Sequence, residues 1–162
     1  MTLLESRFKF PALIIIFMEQ SLETLKSFNW KDFGVAFAVL FGSRVSGNVF
    51  RGDWDIAVWL EELKGFDELF ARVADLQYSL SKWLGVPEEA VDIVVLNRYE
   101  KLPCTLLIEI LGKGKPIYVK DFESFLELQM RILFPCFDFM IDAKKLRLLE
   151  VQIEAVTRRW ES

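Results

Sequence analysis

Histidine is absent from this 162-residue sequence, and that absence removes more chemistry than any other feature of its composition. Without it, His-based catalytic triads and most zinc sites cannot be built. Any metal would be held by oxygen, which favours magnesium or manganese. Cysteine is scarce, with only Cys104 and Cys136. Each sits in an apolar stretch, so two buried thiols are the expectation. No close cysteine pair points to zinc, and no cysteine framework points to secretion. Glycine (8) and proline (5) are also few, which argues against a fibrous or disordered chain.

Basic excess and long apolar runs are missing as well. The formal charge is -4 and the pI about 5.0, so no extended nucleic-acid-binding surface is expected; a single nucleotide needs only a small local site. Ala12–Met18 (ALIIIFM) is an apolar run of seven residues ended by Glu19, whereas a spanning helix needs about 20. Glu19 and Gln20 stand where a signal peptide would carry small residues at its cleavage site. A cytoplasmic location with no membrane association is therefore expected.

What is present is ample material for a core. Hydrophobic residues make up 52% of the chain, 15 of them Phe, enough for one compact domain but not two. Pro11 opens a helix expected over about residues 11–28, with Ile14, Met18, Leu22 and Leu25 at helical spacing. Val35–Phe41 (VAFAVLF) reads as a buried strand ending at Gly42-Ser43, and Asp53–Leu60 (DWDIAVWL) as a second. Phe66, Leu69, Phe70, Val73, Leu76, Leu80 and Trp83 form one stripe of a helix over 66–84, with Phe66, Phe70 and Trp83 expected in the core. Gly85 and Pro87 stop that helix.

Val91–Leu96 reads as a third strand and Pro103–Leu111 as a short helix. Gly112–Lys115 lacks P-loop spacing and reads as a plain turn into a short strand at 117–119. Helices are then expected over about 121–134 and 137–160, broken near Pro135. Lys144, Lys145 and Arg147 belong to a solvated helix face. Leu146, Leu149, Ile153, Val156 and Trp160 form a heptad-like seam. That seam would pack on the chain's own sheet, or meet a partner helix or a second copy. The fold class is α+β: a small mixed β-sheet with helices packed on it, residues 1–120 forming the core and 121–162 a helical C-terminal extension on the same domain.

The chemistry concentrates between Val39 and Leu60. On a strand, residues i and i+2 share a face about 6.6 Å apart. Asp53 and Asp55 can therefore converge while Trp54 turns into the core. Two acids at about 5 Å repel by roughly 3 kcal/mol at an effective dielectric near 20, and strands disfavour Asp. A divalent cation would offset both costs. Asp92 is a further acid inside an apolar strand, and if that strand lies beside the second, three carboxylates meet at one sheet edge. Such a set suits one or two Mg²⁺ ions in an in-line phosphoryl displacement. Asp92 could instead take the proton of the attacking hydroxyl. Gly42 lets the backbone approach a ligand, so that it and the Ser43 hydroxyl can reach phosphate oxygens, while Arg44 can add charge-assisted bonds.

Gly-Ser, a turn, Asp-x-Asp and a later strand Asp resemble the DNA polymerase beta nucleotidyltransferase superfamily. By size the chain resembles its minimal nucleotidyltransferases, whose common form is GSRARG followed by SDIDL. Gly42, Ser43, Arg44 and Gly47 match the opening, Asp53 and Asp55 the acid pair, and Asp92 the third acid. Ser46 replaces the second Arg, and Gly52 the Ser before the acids.

The resemblance covers about residues 34–97 and implies a polymerase beta-like fold. It implies that Ser43 contacts nucleotide phosphates, that Asp53 and Asp55 ligate Mg²⁺ (Mn²⁺ being possible), and that Asp92 is the third carboxylate and base. ATP or another nucleoside triphosphate is the implied substrate. Such proteins resemble antitoxins that adenylylate a tyrosine of a helical HEPN-type partner. Two rivals stand beside that reading: a non-catalytic protein that masks its partner, and a small-molecule, aminoglycoside-like nucleotidyltransferase. A homodimer through the C-terminal helices is a further possibility.

Overall fold

The computed structural model describes residues 22–46, 53–145 and 154–159. A four-stranded sheet organises them: β1 (Val35–Phe41), β2 (Trp54–Leu60), β3 (Val91–Val95) and β4 (Lys115–Val119), in the order β3-β2-β1-β4. β1 pairs antiparallel with β2 and β4, while β2 and β3 are parallel. The sheet is therefore mixed, and helix α1 (Phe66–Leu84) makes the crossover that a parallel pair requires. Helix α2 (Cys104–Leu107) runs on into a π turn at Ile108–Gly112, and the long helix α3 (Phe122–Lys145) follows β4.

Alternation along the strands loads both faces. Ala38, Leu40, Trp54, Ile56, Val58 and Val91 point to one face, where Leu76 and Leu80 of α1 and Leu25 and Trp30 of the segment before β1 cover them. Phe37, Val39, Phe41 and Ala57 point to the other, under Leu107 and Ile110 and under Phe125, Ile132, Leu133 and Cys136 of α3. This two-sided burial explains why β1 reads as an unbroken apolar run.

Two polar clamps fix the ends of β1, β2 and β3 that lie away from the aspartates. Arg72 donates to the carbonyls of Glu61 (2.6 Å), Phe33 (3.0 Å) and Gly34 (3.1 Å). Gly34 has φ +65°, and a Cβ there would collide with the Arg72 guanidinium. Asn97 then pairs with the end of β2 as a strand would: its Oδ1 accepts from Leu60 N (2.9 Å) and its Nδ2 donates to Leu60 O (2.8 Å).

The α+β class, the three apolar strands and the helix over 66–84 stand as the sequence predicts. Four expectations are corrected. α3 does not break at Pro135 but carries it inside the helix. The proline is on the solvent side, and the buried Ile132, Leu133 and Cys136 hold the turns around it; that packing offsets the lost hydrogen bond. Cys104 and Cys136 are not two free thiols but a disulfide, with Cα atoms 5.3 Å apart. An apolar context looks the same for either state; only the docking of α3 on α2 brings the sulfurs together.

Phe66, Phe70 and Trp83 are not core. The sheet covers a narrower strip of α1 than its apolar stripe, centred on Leu76 and Leu80. Phe66 and Phe70 stack on each other in solvent with Arg98 over Phe66, while Trp83 lies edge-on to Phe28 and donates to Thr24 O. β4 starts two residues earlier than expected, at Lys115. Most of the helix expected over 11–28 lies outside the described residues, as do Leu146, Leu149, Ile153 and Trp160 of the seam; Val156 is exposed. No helix among the described residues is long and apolar enough to cross a membrane.

Candidate active site

Strand register assembles the site. β1 delivers Phe41 opposite Asp55 of β2, and the parallel β2–β3 pairing sets Asp55 opposite Asp92. One row of the sheet thus reads Phe41, Asp55, Asp92. The adjacency on which the third carboxylate depended is present. Asp53 precedes β2 by one residue and is exposed, Asp92 is exposed, and Asp55 is half-buried.

The charges sense one another. The Asp55 carboxyl is pushed above its ordinary value, first by burial and then by the negative charges of Asp92 and Asp53. Among the described residues, no three Asp, Glu, Cys or His side chains already stand together as a metal-ligand set. The row therefore offers a concentrated negative field that a divalent cation would relieve, without a finished three-ligand cage.

Gly42 closes the site from the β1 side. It adopts φ +81°, a left-handed conformation that non-glycine residues rarely enter. A Cβ built on it would run into Oδ2 of Asp55 and lie 3.1 Å from its Cγ. The glycine is thus required twice, for the turn out of β1 and for the room that the Asp55 carboxylate occupies. Ser43–Ser46 then form one helical turn, with Val45 N donating to Gly42 O at 3.1 Å. Gly47 and Gly52, the other matched or substituted positions of the turn, lie outside the described residues.

Arg44 lies over Trp54, within the field of Asp53. Its guanidinium carbon lies 3.8 Å from the ring centroid of Trp54, a cation–π stack. Burial holds this guanidinium below its ordinary value, and Asp53 partly offsets that. Trp54 turns into the core as expected, but its role as the platform for Arg44 was not foreseen. No spacing rule links a turn arginine to an aromatic ten positions later, so the sequence carried no signal for it. The contact of Gly42 with Asp55 was legible only as a demand for glycine.

The polymerase beta nucleotidyltransferase family model matches residues 23–123. The chain belongs to this family. The matched segment contains the whole sheet and every candidate site residue. No protein of curated function is detectably similar in sequence.

Solved structures share the fold. A chain of the toxin–antitoxin MntA–HpeT, in a mutant with two aspartates changed to glutamate, is 17% identical. That match covers 83% of this chain and 98% of that one, at a TM-score of 0.54. The same pair in a tyrosine-to-alanine mutant gives 19% identity, 83% and 97% coverage and a TM-score of 0.56. A toxin–antitoxin solved with AMP-PNP gives 20%, 76% and 92%, with a TM-score of 0.53. At these identities the likeness is one of fold.

Proposed function

We propose that this nucleotidyltransferase-family protein transfers a nucleoside monophosphate, AMP from ATP, to an acceptor hydroxyl. One observation carries the reading: the register that sets Asp55 against Asp92, with Gly42 beneath the Asp55 carboxylate. An acid raised first by burial and then by two neighbouring acids is a costly arrangement, and it points to a site that works with a cation.

Asp53 and Asp55 would hold Mg²⁺, with Asp92 as third carboxylate, and Mn²⁺ has the same ligand chemistry. When bound, the ion would neutralise phosphate charge as it builds up on the leaving group. The chain's own groups do the rest. The Gly42 and Ser43 amides and the Ser43 hydroxyl would receive phosphate oxygens. Arg44, seated over the Trp54 ring beside Asp53, would meet the triphosphate charge. Asp92 would accept the hydroxyl proton as the acceptor oxygen bonds to the α-phosphorus and the bond to pyrophosphate breaks.

The acceptor we favour is a tyrosine hydroxyl of a HEPN-type helical partner, as the resemblance to minimal nucleotidyltransferases implies; the solved chains that share this fold come from toxin–antitoxin pairs. The test is transfer of α-labelled ATP to a co-purified partner in the presence of Mg²⁺. Label on a partner tyrosine, lost in Asp53→Asn/Asp55→Asn, is the expected result. Full transfer by the double mutant would overturn the assignment. A mutant that still neutralises the partner without labelling it would favour the masking reading.

A further inference from the structure

The long helix α3 buries one line of residues and leaves another uncovered. Phe125, Ile132 and Cys136 pack into the core under the sheet, and Ala143 is buried on the same line. At about 100° per residue, Leu126, Met130, Phe134, Phe137 and Ile141 fall on a second stripe roughly a third of a turn away. They are between 38% and 61% exposed. Monomeric proteins rarely leave contiguous apolar patches of more than a few hundred Å² in water.

We propose that this stripe is a dimer interface, covered by the same helix of a second copy running antiparallel. The argument is self-complementarity. A two-fold axis beside Phe134 sets Met130 against Phe137 of the second copy and Leu126 against its Ile141, each contact occurring twice. The same register sets Glu123 against Lys144, so the apolar stripe ends in opposite charges at both ends. Both are exposed. An unrelated partner would not require the stripe to match its own reverse; an isologous interface does.

Area supports the same occupant. With about 150–250 Å² for a large side chain, the five half-exposed residues and the flanking stems present about 600 Å² per copy. A pair then buries about 1,200 Å², the lower edge of a stable interface.

The full chain should sediment as a reversible dimer, at twice the chain mass of 18.9 kDa. Phe137→Glu and Met130→Glu should each weaken association by about 100-fold or more, with far-UV dichroism and thermal midpoint retained. Because an apolar-to-acidic change can also unfold a protein, a charge swap gives a second arm. Glu123→Lys and Lys144→Glu should each weaken the dimer, and together they should restore it. A chain that is monomeric at all loadings overturns the proposal. So does a dimer indifferent to Phe137→Glu, or a double swap no better than the singles. A monomer whose stripe variants lose only a helical partner would assign the surface to that partner instead.

Discussion

Gly42 and Asp55 touch across the β1–β2 ladder, so closely that the carboxylate occupies the space any side chain at position 42 would need. Gly42→Ala therefore carries two penalties. The left-handed φ of +81° costs a residue with a Cβ about 1–3 kcal/mol, and the new methyl displaces Asp55. Stability should fall by that amount, while nucleotidyl transfer should fall further, about 100-fold, because a displaced ligand is not recovered by folding. Thermal melts beside single-turnover transfer rates would check it. Equal losses in Gly42→Ala and in a Gly85→Ala control (φ +69°, nothing within 4 Å) would show that backbone strain alone is at work.

How far the sequence discloses this site depends on which physical signal each residue leaves. β1, β2 and α1 are legible because their patterns are local: an apolar run ending in Gly-Ser, an acid–aromatic–acid alternation, and a stripe closed by Gly85. The partnership of Asp55 with Asp92 is not local, since it depends on a parallel crossover 37 positions long. Sequence could state it only as a condition. Phe66 and Phe70 mislead because apolar periodicity reports which side of a helix is greasy, and not how wide a strip the sheet covers. Pro135 misleads because tertiary packing outweighs propensity in the middle of a well-docked helix.

Asp55 should make the empty protein less stable at neutral pH than it would be without the charge. Its folded pKa is raised, so the folded state holds the proton to higher pH than the unfolded chain. Stability is then fully present below the unfolded value and is lost as pH rises through the folded one. Asp55→Asn should match the wild type below pH 3.8, the ordinary carboxyl value, and exceed it at neutral pH. The carboxylate is partly solvated, so the gain should be under about 1 kcal/mol, or roughly 2–4 °C. Mg²⁺ should raise the melting temperature of the wild type and not of Asp55→Asn. A variant less stable than wild type at pH 7 without metal would contradict the sign.

The Arg44–Trp54 stack separates nucleotide binding from core packing. Trp54 Nε1 is buried and has no hydrogen-bond partner, so Trp54→Phe forfeits volume and ring area but no bond, a cost of about 1–2 kcal/mol. It keeps an aromatic face for the guanidinium. Trp54→Leu removes that face and should raise the KM for ATP by about 5- to 30-fold, the equivalent of about 1–2 kcal/mol of cation–π contact. Arg44→Lys should resemble Trp54→Leu, since an ammonium lacks the planar surface. Steady-state kinetics on all three variants tests this, and a KM for Trp54→Leu equal to that of Trp54→Phe would sink it.

The Cys104–Cys136 bridge ties α3 to the start of α2 across 32 residues of chain. In the chain-entropy model a loop of this length stabilises the fold by about 3–4 kcal/mol, strain aside. Reductant should therefore lower the wild-type melting temperature by about 6–16 °C, at roughly 2–4 °C per kcal/mol for a chain of this size. Cys104→Ser/Cys136→Ser should melt at the lower temperature with or without reductant. Gln129, which donates to Leu111 O at 2.7 Å, and the buried contacts of Ile132 and Leu133 remain in that variant, so α3 should stay docked. Transfer activity, which depends on the aspartate row at the N-terminal ends of β2 and β3 and not on either sulfur, should be unchanged. A reductant-independent wild type would mean that the two thiols are not bridged in solution, and that the apolar contacts alone hold α3 on α2.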